Sequence, residues 1–130
     1  MKVVKFGGSS LASGEQLEKV YGIVTSDPER KVVVVSAPGK RSPEDIKVTD
    51  LLIACAEKRL DGEDLSAELN MLLDRYGSIA KELNLPAEVM NSIKADFLQV
   101  LDGDRRFKDR YIDAVKASGE DNNAKLIAAY

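Results

Sequence analysis

The sequence predicts an α/β fold in which parallel strands with flanking helices lead into a helix-rich section. Two short β-branched runs carry the first half of that expectation. They are Val3-Val4-Lys5-Phe6, stopped by Gly7-Gly8, and the four valines within Lys31–Ser36, stopped by Ala37-Pro38-Gly39. Between the runs lies a stretch with the apolar spacing of a helix, and from about Thr49 onward the pattern is helical.

Continuous β-branched runs suit strands covered on both faces, as in a parallel sheet flanked by helices. The intervening helix places Leu17, Val20, Tyr21 and Val24 at i, i+3, i+4 and i+7, and Ser13-Gly14-Glu15-Gln16 has the form of a capping box. Strand, glycine loop, helix and strand make a βαβ unit. A second helix runs from about Thr49 to Leu60. A third carries the stripe Leu65, Leu69, Leu72, Tyr76, Ile79, Ala80 and Leu83. Pro86 suits the first turn of a fourth, with Val89, Ile93, Phe97 and Val100 on its apolar side and Gly103 as a left-handed cap. The last begins near Arg106, carries Phe107, Tyr111 and Val115, passes Gly119 and runs through Leu126 and Ile127 to Tyr130. That closing apolar surge asks for a cover, so residues 1–130 are expected to form the amino-terminal portion of a larger domain.

Composition narrows the function classes. Nineteen basic against 22 acidic residues give a net charge of −3, with the basic ones scattered, which argues against nucleic-acid and membrane-surface partners. No apolar run approaches the ~18 residues of a membrane span, and a cytoplasmic location is expected. Cys55, the one cysteine, lies in the apolar run Leu51–Ala56 and reads as a small buried hydrophobe. The chain has no histidine, so zinc sites and Ser-His-Asp hydrolysis are excluded, and no metal ligands are assigned.

The sharpest chemical feature is Lys5-Phe6-Gly7-Gly8-Ser9-Ser10. A strand delivers a lysine and then breaks into a nearly side-chain-free loop before a helix. Such a loop can bring backbone N–H groups against phosphate oxygens. It is not a Walker A loop, in which the lysine follows the glycines. Taken alone, the stretch also reads as an ordinary strand-to-helix turn. Thr49 reads equally as a helix cap and Glu120 as a solvated charge.

Lys5-Phe6-Gly7-Gly8-Ser9-Ser10 resembles the opening signature of the aspartokinases. Val33-Val34-Val35-Ser36-Ala37, Val48-Thr49-Asp50-Leu51-Leu52 and Ser118-Gly119-Glu120 resemble later stretches of that family, in the family's order. The resemblance implies a partial amino-acid-kinase (carbamate-kinase-like) fold. It also implies ATP-dependent phosphorylation of the aspartate side chain to 4-phospho-aspartate, the first step of lysine, threonine and methionine biosynthesis. Lys5, Gly7, Gly8 and Ser9 would meet the ATP phosphates, with Lys5 catalytic. Ser36 would sit near the reacting centre, Thr49 would contact the substrate carboxylate and Glu120 would hold the substrate ammonium. Mg²⁺ would be bound through the ATP phosphates.

Family members are longer, and the nucleotide half and regulatory domains have no counterpart in these residues. The chain alone is therefore expected to be inactive. It is also expected to form a homo-oligomer, through an unpaired strand edge and an uncovered patch at Leu126, Ile127 and Tyr130. Segment 39–47 reads as a mobile loop, either closing over substrate or simply connecting. Two rivals remain: a non-catalytic binding or assembly module on the same framework, or a different amino-acid kinase.

Overall fold

The computed structural model describes all of residues 1–130. Strands β1 (Lys2–Phe6) and β2 (Arg30–Val35) pair in parallel as a two-stranded sheet, and helix α1 (Gly14–Thr25) connects them. This is the expected βαβ unit. The register sets Val3 against Val32, Lys5 against Val34 and Phe6 against Val35. Ser13 caps α1 as its pattern implied, its hydroxyl accepting from the Gln16 N–H at 3.3 Å. Between β1 and α1, one turn of 3-10 helix at Gly8–Leu11 drops Leu11 fully into the core.

Four helices follow: α2 (Val48–Leu60), α3 (Ser66–Glu82), α4 (Ala87–Leu101) and α5 (Lys108–Ala129). Helix α5 packs against α2 and α4, while α3 lies on α2. The apolar stripes meet as their spacing requires. Leu52, Leu72, Tyr76, Phe97, Val115 and Leu126 are all fully buried, and the Tyr76 and Phe97 rings meet edge to face at 5.2 Å. Each such side chain removed from water contributes roughly 1.5–3 kcal/mol. Cys55 is buried among them, and desolvation pushes its thiol up to about 11, so it packs as a small hydrophobe. No helix is long and apolar enough to cross a membrane.

Several details depart from the sequence expectation. Within residues 1–130 only one face of the strands is covered: Val3 is 62% exposed, and Val32 and Val34 are each 42% exposed. Alternation along the strands puts these three on one side together with Lys5, and only the other side, with Phe6 and Val35, meets the core. Gly103 is not a left-handed cap. Its N–H closes a tight turn onto the Val100 carbonyl at 3.1 Å, which uses an end carbonyl without a positive φ.

The left-handed caps stand elsewhere, at Gly62 (φ 70°) and Asn84 (φ 54°). After each, the next residue reaches back across the helix end, Glu63 N–H to Lys58 O and Leu85 N–H to Ala80 O, both at 2.9 Å. Phe107 is 57% exposed beneath the Arg110 guanidinium rather than in the core, because α5 starts only at Lys108. Leu126 already has its cover, since α5 turns it inward. Tyr130 stays 42% exposed with its ring edge to face against Tyr21.

Tyr76 also donates from its hydroxyl to the Gly119 carbonyl at 2.7 Å, fastening α3 to α5 at a buried point. Tyr76→Phe keeps the ring packing and loses only this bond. It should lower stability by about 1 kcal/mol in urea denaturation.

Candidate functional site

The two parallel strands end level with each other, and the turns that follow them meet. In open α/β sheets this region, beyond the carboxyl ends of the strands, is where ligands bind. The Gly39 N–H donates to the Gly8 carbonyl at 2.8 Å. A Cβ on Gly39 would lie 2.6 Å from the Gly8 carbonyl carbon and 2.8 Å from the Ser9 nitrogen, which are main-chain atoms with little freedom to move aside. At Gly8 a Cβ would come within 3.1 Å of both the Ala37 oxygen and the Gly39 Cα. Glycine at these two positions is what lets the turns touch. Gly7 is different: its φ is −82° and a Cβ there meets nothing within 4 Å.

Around this contact lies a cleft of about 460 Å³. Gly8 and Ser9 line it from the β1 turn, Ser36 and Gly39 from the β2 turn, Thr49 from the first turn of α2, and Glu120 from α5. Five of the seven site residues read from the sequence are thus brought together. Lys5 and Gly7 are not among the lining residues, and Lys5 lies on the exposed side of the sheet. Lys40 and Lys47 also line the cleft, so two ammonium groups and the Glu120 carboxylate border a space with three hydroxyls, those of Ser9, Ser36 and Thr49.

Each wall has a physical reason for its position. The Ser36 carbonyl accepts from the Asn123 side-chain amide at 2.7 Å, while the Ser36 hydroxyl has only a long 3.5 Å contact to the Phe6 carbonyl and is left available to a ligand. Helix α2 is joined to the β2 turn by the Val48 N–H donating to Pro38 O at 3.3 Å, and Lys47 at its N-cap supplies no capping side chain. The positive end of its dipole therefore faces the cleft beside Thr49. Glu120 is set by its neighbour. A Cβ on Gly119 would be 2.7 Å from Leu52 Cδ1 and 3.3 Å from Ala37 Cβ, so α5 lies directly on the β2 turn there.

Segment 39–47 has no helix or strand, but it is pinned rather than free. Arg41 and Asp45 pair at 2.7 Å, and hydrogen bonds from Arg41 hold the Asp45 carboxyl well below the usual carboxylate range. Buried Arg75 fixes the segment from below. Sequence reasoning placed Gly39, Lys40 and Lys47 only in a strand stop and a mobile loop, and assigned no role to Arg75 or Asn123. One signal was available: Arg75 stands between Leu72 and Ile79 on the apolar stripe of α3, where a charge needs an explanation.

Gly39→Ala should cost about 1–3 kcal/mol in urea denaturation, as overpacking does where the opposing atoms are backbone. Gly7→Ala should stay within about 0.5 kcal/mol of the parent, since it meets no atoms and needs no positive φ.

The model of the amino acid kinase family matches residues 1–130. Aspartokinase 3 of Bacillus subtilis (strain 168) is 61% identical over the whole chain, which spans 29% of that relative's length. The crystal structure of Clostridium acetobutylicum aspartate kinase superposes with a TM-score of 0.84 at 35% identity, covering 98% of this chain and 28% of that one. E. coli aspartokinase III, solved in complex with aspartate and ADP, shares the fold with a TM-score of 0.72 at 21% identity, over 98% of this chain and 28% of its own. The chain belongs to the amino acid kinase family, and among its members it matches aspartokinases over its whole length.

Proposed function

We propose that these residues form the phosphate-loop and acceptor side of an aspartokinase active site, in a protein that transfers the γ-phosphoryl group of ATP to the aspartate side-chain carboxylate. The observation that carries this reading is the single cleft that Gly8, Ser9, Ser36, Thr49 and Glu120 share. The match to Bacillus aspartokinase 3 supports it, as does a fold that in the E. coli protein holds aspartate and ADP. Because the chain spans 29% of the Bacillus relative, we assign adenine and ribose binding, and any regulation, to parts of the protein outside residues 1–130.

In this reading Gly7, Gly8 and Ser9 offer backbone and hydroxyl donors to the phosphates, and Lys5 approaches the transferred group. Ser36 lies near the reacting oxygen and Thr49 takes the substrate carboxylate. Glu120 takes the substrate ammonium, since a carboxylate in the cleft lining selects a free amine. No general base is needed: an aspartate side chain with a pKa of about 3.9 is already ionised at neutral pH. Its oxygen attacks the γ-phosphorus, the bond to the β–γ bridging oxygen breaks, ADP leaves, and an acyl phosphate remains.

The obstacle is repulsion between two anions. Donors fixed in advance around the transferred group lower it most effectively. Mg²⁺ on the ATP phosphates would neutralise further charge. Mg²⁺ ordinarily binds through substrate phosphates with only one or two carboxylates, so an ion brought in on ATP needs no dedicated protein cage. The exposed Val3, Val32 and Val34 face asks for a cover, which the rest of the protein or a second copy in a homo-oligomer would supply, and we place the protein in the cytoplasm.

The test is made in the full-length protein. Glu120→Gln should weaken aspartate binding by up to about 1 kcal/mol, the range of an ion pair at a water-exposed carboxylate, and leave ATP binding unchanged in calorimetric titration. An unchanged aspartate affinity would remove Glu120 from the site. Lys5→Ala should lower kcat by the equivalent of ~3–4 kcal/mol, with a much smaller change in the KM for aspartate. Near-normal turnover would show that its position on the exposed side of the sheet keeps it out of the chemistry.

A further inference from the structure

Between β2 and α2 the chain runs as the irregular segment 39–47, whose ends at Gly39, Lys40 and Lys47 line the cleft. An irregular, charged segment on the surface ordinarily samples many conformations. Here both of its ends rest on one side chain. Arg75 of α3, only 5% exposed, donates from Nη2 to the Gly39 carbonyl and from Nη1 to the Ile46 carbonyl, each at 2.6 Å. The Asp45 carboxylate lies 3.4 Å from Nη1 and is itself bonded by Arg41.

The core does not need a charge at this position. Leu72, Tyr76 and Ile79, on the same face of α3, are buried and apolar, and Arg75 Nε has no partner. A buried cation with an unsatisfied donor is less favourable than an apolar side chain of similar volume. What only arginine supplies is a planar fork whose two amino groups reach two separate carbonyls. The residues just beyond those carbonyls are Lys40 and Lys47, and both line the cleft. Gly39 is held on both sides, its N–H by Gly8 and its carbonyl by Arg75.

We propose that Arg75 is a positioning residue for the cleft, tying the carbonyls of Gly39 and Ile46 to one rigid guanidinium so that Lys40 and Lys47 stand ready in the cleft lining for an anionic ligand. The tie itself stands on geometry, whereas its service to an anion rests on the reading of the cleft given above. The segment is not a lid that folds over substrate from a disordered state. It is held in place before any ligand arrives.

Trypsin reports on the tie, because Lys40, Arg41 and Lys47 are cleavage points within or beside the segment. Cleavage resolved by mass spectrometry is compared in the parent protein, Arg75→Met and Arg75→Lys, with tripolyphosphate affinity measured on each. Lysine keeps the positive charge but has no fork to span both carbonyls. Both variants should be cut at 40–47 faster by at least about tenfold, the change expected when two hydrogen bonds to a charged donor are lost. Cleavage at Lys58, Lys81 and Lys94 should not accelerate in step, and tripolyphosphate affinity should fall.

A folded Arg75→Met protein cut no faster than the parent, or full protection restored by Arg75→Lys, would overturn the proposal. Faster cleavage with unchanged tripolyphosphate affinity would overturn the positioning role. If neither Arg75 variant folds, hydrogen exchange of the parent decides: amides of 40–46 exchanging as fast as an unstructured peptide would refute the tie. A parent protein that does not bind tripolyphosphate overturns the anion reading of the cleft, and the cleavage pattern still decides whether Arg75 holds the segment.

Discussion

The cleft depends on a contact between two backbones. Parallel pairing with Phe6 opposite Val35 makes both strands end at the same height, so the turns that leave them compete for the same space. Glycine at 8 and 39 resolves the competition by removing the Cβ atoms that would hold the turns apart, and a direct N–H to carbonyl bond replaces them. Everything that lines the cleft is then placed relative to the short buried stretch Ala37-Pro38-Gly39. Helix α2 hangs from the Pro38 carbonyl, α5 lies on Ala37 through Gly119, and α3 reaches Gly39 through Arg75.

That arrangement explains a set of polar side chains in otherwise apolar surroundings. Once β2 ends, the carbonyls of Ser36 and Gly39 have no ladder to enter, and a buried carbonyl without a donor is costly. The helices provide the donors: the Asn123 amide for Ser36 and the Arg75 guanidinium for Gly39. Arg75 interrupts an apolar helix face between Leu72 and Ile79, and Asn123 belongs to a buried polar stretch of α5 with Ser118 and Asn122, between Val115 and Leu126. Their identities follow from what the β2 turn lacks, not from what the helices require.

The same distinction separates what could be read in the sequence from what could not. The βαβ unit and the helices were legible because their periods are local: four consecutive valines, a serine three residues before a glutamine, and stripes such as Leu72-Tyr76-Ile79. The cleft was legible in part because its serines, threonine and glutamate sit in stretches that resemble a family. Contacts between distant segments were not. Gly39 looked like turn punctuation until Gly8 was found against it, and Arg75 matters only because Gly39 and Ile46 come to lie above it. The cap assignment at Gly103 failed for a related reason. A glycine after a helix permits a positive φ without requiring one, and a tight turn from Gly103 to Val100 had already used that helix end.

The cleft's two kinds of lining group bear on how the site would handle charge. Backbone groups and short hydroxyl side chains lose little freedom on meeting a ligand and need no counter-ion. Lys40, Lys47 and Glu120 bring long side chains exposed to water. An exposed ammonium that must be both desolvated and immobilised gains little from an ion pair, commonly less than about 1 kcal/mol. Fixing the backbone beneath it removes part of that ordering cost in advance. A buried arginine under the segment is therefore better matched to this cleft than a third lysine in its lining would be. The stability that α3 gives up by burying the charge is returned as a fixed backbone next to Lys40 and Lys47.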